Sequence, residues 1–517
     1  MISLMNLMTL TSFAFLVFVA LSLFLYYSTP LRFRWVTLLT VSLAFFALSS
    51  ELRSIPFLIL GIVIAYIGAW LIGTKCKTAS QKKIILAVTL ILIITELCLL
   101  KYSNFFTNTA GLFGRLFHIS VAGKSYSYLA PLGISYYTLS IIGYVLGVYW
   151  QTHDHQKNPF KFALFTCYFP RMTSGPITNY KQMESELFIG KRCCYEGVRA
   201  GFWRMLWGYF KKMVIADRLA ILVNTVYADT SSYPGFYVVV AVFAFVFQLY
   251  CDFSGCMDIV LGASEMFGIH LPENFDVPFS SQSISEFWRR WHITLGVWAK
   301  DNLLYPILKS RFIQKIGVKS KKAFGKKLGK KIPTYLGLVV IWLFIGIWHG
   351  GSYKFLFLSG ILPGFYLIAG DFLHPVFEKL NTALHINTQC FSFRLFRRFR
   401  TILLMCTSWI FIPAASLKAG FQAWRDMLST VNPWLLTDDS LFLLGLDYKD
   451  FFILFIALIA VVSVEILHYK RIKIRETLKN QNIAFQWVVT MAAIFIVLIY
   501  GIYGSGYNPA DFIYGGF

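Results

Sequence analysis

The chain has 517 residues, of which 57% are hydrophobic, 18% aromatic and only 14% charged. Soluble domains carry about a quarter charged residues, so a soluble globular protein is excluded. Its 48 Lys and Arg against 25 Asp and Glu give a net charge of +23, but the basic residues sit in short links between apolar runs, the positive-inside pattern, and no stacking-and-basic module of a nucleic-acid binder accompanies them.

Apolar runs recur along the whole length, which predicts an all-α polytopic membrane protein built as one integral domain over 1–517. The nine cysteines are scattered without zinc-ligand spacing, imply no disulfide framework and read as apolar packers. In chain order, the run from about Leu10 to Tyr27 is too long and unflanked for a cleavable signal and reads as a retained span. Spans follow at about 35–49, 55–73 and 84–100, each near the ~20 residues a bilayer needs. Their links place the N-terminus outside when the basic ones lie in the cytoplasm. Glu96 falls inside the fourth run, where it can snorkel or pair with Lys101.

A span at about 128–149 leads to CYFPRMTSGPITNY, in which Pro170, Gly175 and Pro176 break any helix. Broken backbone in lipid has to be shielded by protein or line a cavity, so a re-entrant element is expected there. The run 237–250 ends near Asp252 and Asp258, which read as helix caps at a membrane boundary. In PENFDVPFSSQSISEFWRRWHITLGVWAK, Ser283 and Glu286 make a capping box, and Trp288, Trp291, Leu295 and Trp298 share one face of a single helix over 284–300. Its charges keep that helix from spanning lipid, so it lies in the interface or inside the protein.

Ten Lys and Arg with no acid fill 309–331. Two readings stand: a cytoplasmic loop touching anionic lipid, or a docking surface for a phosphate-bearing donor. The run 333–348 then carries His349 into the membrane or to its far side, with Gly350 and Gly351 ending the helix. Spans at about 354–370, 401–415, 452–468 and 485–503 complete the chain, separated by basic links at Arg394–Arg400 and Lys470–Arg475.

His292 and His349 are ionisable groups in apolar surroundings, where such residues are costly and mark pathways or reaction sites. Neither HxxxH nor HExxH is present, so no metal site is read from the pair, and no GxSxG elbow supports a serine hydrolase. A neutral imidazole acting as general base toward an acyl-accepting hydroxyl remains, as does a proton relay in a lipid-linked glycan transporter or flippase.

The ordered series PLGISYYTLSIIGYVLGVY, YFPRMTSGPITNY, GYFKKMVIADRLA, YCDFSGCMDIVLGASEMFGIHLPENF, SEFWRRWHITL and WHG resembles the membrane-bound O-acyltransferase (MBOAT) family, strongly over about 130–350. It resembles the bacterial branch that serves extracellular polysaccharide O-acetylation and D-alanylation of teichoic acids, and within that branch it looks more like the O-acetylation subunits, typified by alginate, than the D-alanyl transferases. The resemblance implies the MBOAT fold: about 10 to 12 spans around tilted, horizontal and re-entrant helices that enclose a tunnel. It implies N-terminal spans over 1–127, a catalytic core over 128–370 and C-terminal spans over 371–517. By the same resemblance, His349 matches the family's catalytic histidine and His292 the second one; Arg289, Asn274 and Trp288 are read, apart from the resemblance, as residues lining the site. The implied donor substrate is acetyl-CoA or another acyl thioester, with no cofactor. The implied setting is a bacterial cytoplasmic membrane, with membrane lipids, a polysaccharide acceptor and an extracytoplasmic SGNH-type partner around the protein.

Overall fold

A computed structural model describes residues 8–116 and 131–503. The first residues of the chain, the start of the span expected at 128–149 and the closing GSGYNPADFIYGGF lie outside the described residues. Among the described residues the regular structure is helical, and the one strand-like feature is an isolated antiparallel bridge between Phe275 and Trp291.

Eight helices among the described residues are long and apolar enough to cross a bilayer: Leu31–Ser49, Leu52–Lys75, Ala79–Gly114, Phe236–Met266, Ile332–Gly350, Tyr353–Ala383, Tyr448–Tyr469 and Ile483–Tyr500. Two shorter apolar helices, Phe13–Ser28 and Ile134–Tyr149, accompany them. Large apolar side chains such as Phe24, Ile91, Phe455 and Ile499 point outward from these helices. So much exposed apolar surface is unfavourable in water and neutral in lipid, which makes this a multi-pass all-α membrane protein.

The described chain gathers into two compact units, one holding the residues up to Tyr209 together with Gly255–Pro272, the other Phe210–Ser254 and Glu273–Ile502. In the first, small residues bring helices into close approach. A Cβ on Gly201 would fall 2.5 Å from the Gly262 carbonyl oxygen, and one on Gly208 would fall 2.5 Å from that of Gly255. Such packing replaces the hydrophobic drive that lipid does not supply. The break expected at 170–176 is present: a four-residue helix, Phe169–Met172, ends in a turn where a Cβ on Gly175 would meet the Arg171 Cα at 2.5 Å. Arg171 is buried, donates to Thr178 Oγ1 and the Phe165 carbonyl, and lies over the Phe165 ring.

Four expectations are corrected. Asp252 and Asp258 do not cap a helix at a boundary; they lie inside the continuous helix Phe236–Met266, and both are held by cations. The lysine-rich 309–331 segment is not a loop, because Arg311–Gly329 is helical on both sides of a kink at Gly325 (φ 75°) and is capped by Ser310 accepting from the Ile313 N–H. The basic Arg394–Arg400 link belongs to the helix Phe391–Trp409, which starts about ten residues before the span expected there. Glu96 does not pair with Lys101: Lys101 donates to Ser135 Oγ at 2.5 Å, and Glu96 Oε1 is buried with no hydrogen-bond partner. The nine cysteines are all free thiols.

Candidate functional site

The second unit holds both histidines. His349 is buried in the last turn of Ile332–Gly350. Gly351, at φ 53°, ends that helix in the left-handed conformation that favours glycine, its N–H donating to the Ile347 carbonyl at 2.9 Å. A Cβ on Gly350 would lie 2.3 Å from the Phe355 ring, so only glycine lets the chain after His349 turn this tightly. A Cβ on Gly346 would sit 3.0 Å from the Gly360 and Leu356 Cα atoms, so the helix bearing His349 is held against the π-helical stretch Leu356–Ile361 by backbone contact.

His292 is reached by a route the periodicity does not reveal. The helix expected over 284–300 is two helices, Ile284–Arg290 and Ile293–Ala299, with His292 between them at φ 49°, ψ 49°. A non-glycine residue in that region is uncommon, and such backbone strain clusters at functional sites. The neighbouring backbone pins it: the Asp276 N–H donates to the Arg290 carbonyl and the Ile293 N–H to the Asn274 carbonyl, both at 3.0 Å. At the front of the first helix Ser283 Oγ accepts from the Glu286 N–H, as a capping box requires. The Glu286 carboxylate returns to the Gln282 N–H, one residue short of a closed box.

Asn274 fixes the tautomer of His292. Its Oδ1 accepts from the Thr294 backbone N–H at 3.1 Å and from Thr294 Oγ1 at 2.9 Å. A backbone N–H can only donate, so this atom is the amide oxygen. The third contact, His292 Nδ1 at 3.3 Å, is therefore an Nδ1–H donating to it. A neutral His292 then carries its lone pair on Nε2. Burial, and secondarily the charge His349 would carry, hold the His292 pKa well below its ordinary 6.5.

The two imidazole centroids are 6.4 Å apart. Trp348 stands 5.1 Å from His349 and 6.2 Å from His292, and the Phe253 ring meets His292 edge-on at 5.0 Å. Trp291, fully buried, packs on Phe287, Phe275 and Trp409. Trp288 packs on Trp342 at 4.8 Å, and its Nε1 is buried without a hydrogen-bond partner. The site is thus a pair of imidazoles in an aromatic, water-poor setting, where an unneutralised charge is expensive and a neutral base persists.

Of the residues expected at the site, His292, His349 and Asn274 come together, and Trp288 stands by Trp342 on the helix that bears His349. Arg289 does not join them. Its side chain is exposed and donates to Ser285 Oγ one turn back, as an i,i+4 neighbour on the far face of a short helix does. Trp348, Phe253 and Thr294 were not foreseen, since an aromatic or threonine beside a histidine carries no periodic signal.

A buried charge cluster was also missed. Lys212, in the π-helical stretch Phe210–Ala216, reaches Asp252 at 2.6 Å and Asp217 at 2.7 Å, and Asp252 directly precedes the Phe253 that touches His292. The signal was available, because lysines and an aspartate inside apolar runs are ionisable groups that must find partners. Among the described residues no three His, Cys, Asp or Glu side chains gather as a metal ion would need.

Comparison with known proteins places this geometry in context. Residues 149–320 match the model of the membrane-bound O-acyltransferase family. The chain is 30% identical over 438 residues to the probable alginate O-acetylase AlgI of Pseudomonas syringae pv. tomato, covering 81% of this chain and 75% of that one. It is 27% identical over 430 residues to the peptidoglycan O-acetyltransferase of Helicobacter pylori, covering 78% and 75%. With the teichoic acid D-alanyltransferase of Bacillus subtilis it shares 25% identity over 254 residues, covering 48% of this chain and 60% of the relative.

Proposed function

The chain belongs to the membrane-bound O-acyltransferase family and is an acyltransferase; on that premise we propose that it moves an acetyl group from a cytoplasmic thioester, acetyl-CoA, toward a polysaccharide outside a bacterial cytoplasmic membrane. An extracytoplasmic SGNH-type partner completes the transfer to the polymer. The relatives named for polysaccharide O-acetylation match over most of their length and the D-alanyl transferase over less, which favours acetyl over D-alanyl.

The observation that carries the reading is the buried imidazole pair, 6.4 Å between centroids, with the tautomer of one ring fixed by Asn274. His349 acts as general base. It takes the proton of the acceptor hydroxyl as that oxygen attacks the thioester carbonyl, the C–S bond breaks, and the thiolate leaves and takes up the proton. His292, held neutral by burial, is a poor proton store. Its Nε2 lone pair accepts a hydrogen bond from a neighbouring hydroxyl of the acceptor and so aims the attacking one. Asn274 holds that ring, Trp348 and Phe253 bound the pocket, and the apolar walls keep out water that would hydrolyse the donor.

The test is acyl transfer by the purified protein in nanodiscs with its partner and glycan, supplied with either radiolabelled acetyl-CoA or a D-alanyl carrier thioester. Transfer from acetyl-CoA alone supports the reading. Transfer from the D-alanyl carrier alone reassigns the acyl group, and transfer from neither overturns the reaction as written.

A further inference from the structure

The basic stretch at the start of Phe391–Trp409 does not behave as lipid-facing charge. Leu395, Phe396 and Phe399 are exposed, whereas Arg397, Arg398 and Arg400 are half-buried, and the guanidiniums of Arg398 and Arg400 reach protein carbonyls. Arg398 is accounted for: it donates to the Ser280 carbonyl at 3.1 Å and to Tyr469 Oη at 3.0 Å, and it stacks on the Tyr469 ring.

Arg400 is not. One of its terminal nitrogens donates to the Gln282 carbonyl at 3.1 Å, but its Nε is buried with no partner. Arg397 lies close enough to lower the Arg400 pKa by repulsion, second to the effect of burial. Among the described residues neither has a carboxylate within ion-pair distance; Glu286 pairs with Arg290, and Asp276 with Arg290 and Arg471. The turn that Arg398 and Arg400 grip contains Ser281, fully buried, whose Oγ also has no partner.

Two adjacent guanidiniums, half-desolvated and without a counter-charge, repel each other at a standing cost that a dianion removes. Nε together with a terminal nitrogen is the fork that grips a phosphate oxygen pair, and a free hydroxyl adds a donor. We propose that Arg397, Arg400 and Ser281 form a binding site for a phosphate ester, and that the phosphate is the one carried by the thioester donor. The assignment rests on the acyl-transfer reading above and names where the donor's charged end is held.

The same helix connects this site to the chemistry. Trp409, nine residues beyond Arg400 and so about 14 Å along the axis at 1.5 Å per residue, packs on Trp291 beside His292. A donor anchored by its phosphate at Arg400 has its thioester arm running along this helix toward the imidazoles. Half-buried arginines favour a soluble phosphate seated against protein over a headgroup at the lipid boundary, although the two share their chemistry.

The experiment measures coenzyme A binding, without turnover, to the full chain in phosphatidylcholine nanodiscs, for wild type, R397Q and the R397Q/R400Q double variant. R397Q removes a side chain that makes no hydrogen bond or ion pair among the described residues and guards against misfolding of the double variant; R400K keeps the charge and loses the fork. We expect the dissociation constant of coenzyme A to rise about fivefold in R397Q and at least tenfold in the double variant and in R400K. The KM for acetyl-CoA should rise in parallel, with kcat within twofold, while S-acetylpantetheine, which lacks phosphate, is used equally by all. Unchanged coenzyme A affinity in R397Q and in the double variant overturns the proposal. Phosphatidylglycerol that displaces coenzyme A from wild type and is without effect on the double variant makes the headgroup the occupant and overturns the donor assignment. A wild type that binds coenzyme A through these arginines yet transfers no acetyl refutes the acyl-transfer reading and leaves the site standing.

Discussion

Replacing Asn274 by aspartate separates its two duties, holding the chain and setting the charge of His292. The carboxylate takes the place of the amide oxygen, 3.3 Å from His292 Nδ1, and still accepts from Thr294. An imidazolium facing it at that distance gains about 5 kcal/mol at an effective dielectric of about 20, while burying the carboxylate costs several kcal/mol in return. The balance raises the His292 pKa by about 1 to 3 pH units. In the wild type His292 is neutral throughout the working range, because its pKa lies well below 6.5. In N274D it protonates as the pH falls through the new value and Nε2 stops accepting, so the rate falls at a higher pH than in the wild type on the acid side while the alkaline plateau stays within about tenfold of wild type. N274A does the opposite. Three buried donors lose their acceptor at about 1–3 kcal/mol each, so the thermal midpoint and the rate fall together and the shape of the profile is kept. Acetyl transfer measured from pH 5 to 9, with thermal midpoints alongside, reads both variants. An N274D profile that overlays the wild type would refute the tautomer argument.

Three further outcomes are expected. Because the folded pKa of His292 lies below the unfolded value near 6.5, the unfolded chain binds the extra proton in between. Stability therefore falls as the pH drops below about 6.5, by up to about 1.4 kcal/mol per pH unit; denaturation of H292Q should show a shallower slope between pH 5 and 6.5, and equal slopes would contradict the assignment. K212M removes the cation that buried Asp252 and half-buried Asp217 share and should cost about 3–5 kcal/mol, with K212M/D252N recovering part of it in chemical unfolding; a K212M protein as stable as wild type would show the pair to be dispensable. G350A drives a methyl into the Phe355 ring and should lower the transfer rate, whereas G350A/F355A should recover it; no recovery would mean that Gly350 acts through its backbone freedom alone.

The spans were legible because bilayer thickness imposes a length and an apolar composition that few other structures share, as in Tyr448–Tyr469 and Ile483–Tyr500. The histidines were legible because an imidazole in such surroundings is costly. Asn274 and the broken 170–176 segment were also visible beforehand. The break at His292 was not: Trp288, Leu295 and Trp298 keep helical spacing across it, and only the pairing of Asn274 and Asp276 with residues 290–293 shows why the chain turns there. The same limit hid the lysine-rich helix Arg311–Gly329, whose repelling charges read as a link. It also hid Asp252, which looks like a cap until Lys212, forty residues earlier, comes to meet it.

The most direct test of the account is label transfer from radiolabelled acetyl-CoA to glycan in nanodiscs with the partner present, comparing wild type with H349A. The account predicts transfer by the wild type and a loss of at least about a hundredfold in the variant, with helical content and thermal midpoint preserved. A folded H349A that transfers label at the wild-type rate would contradict it.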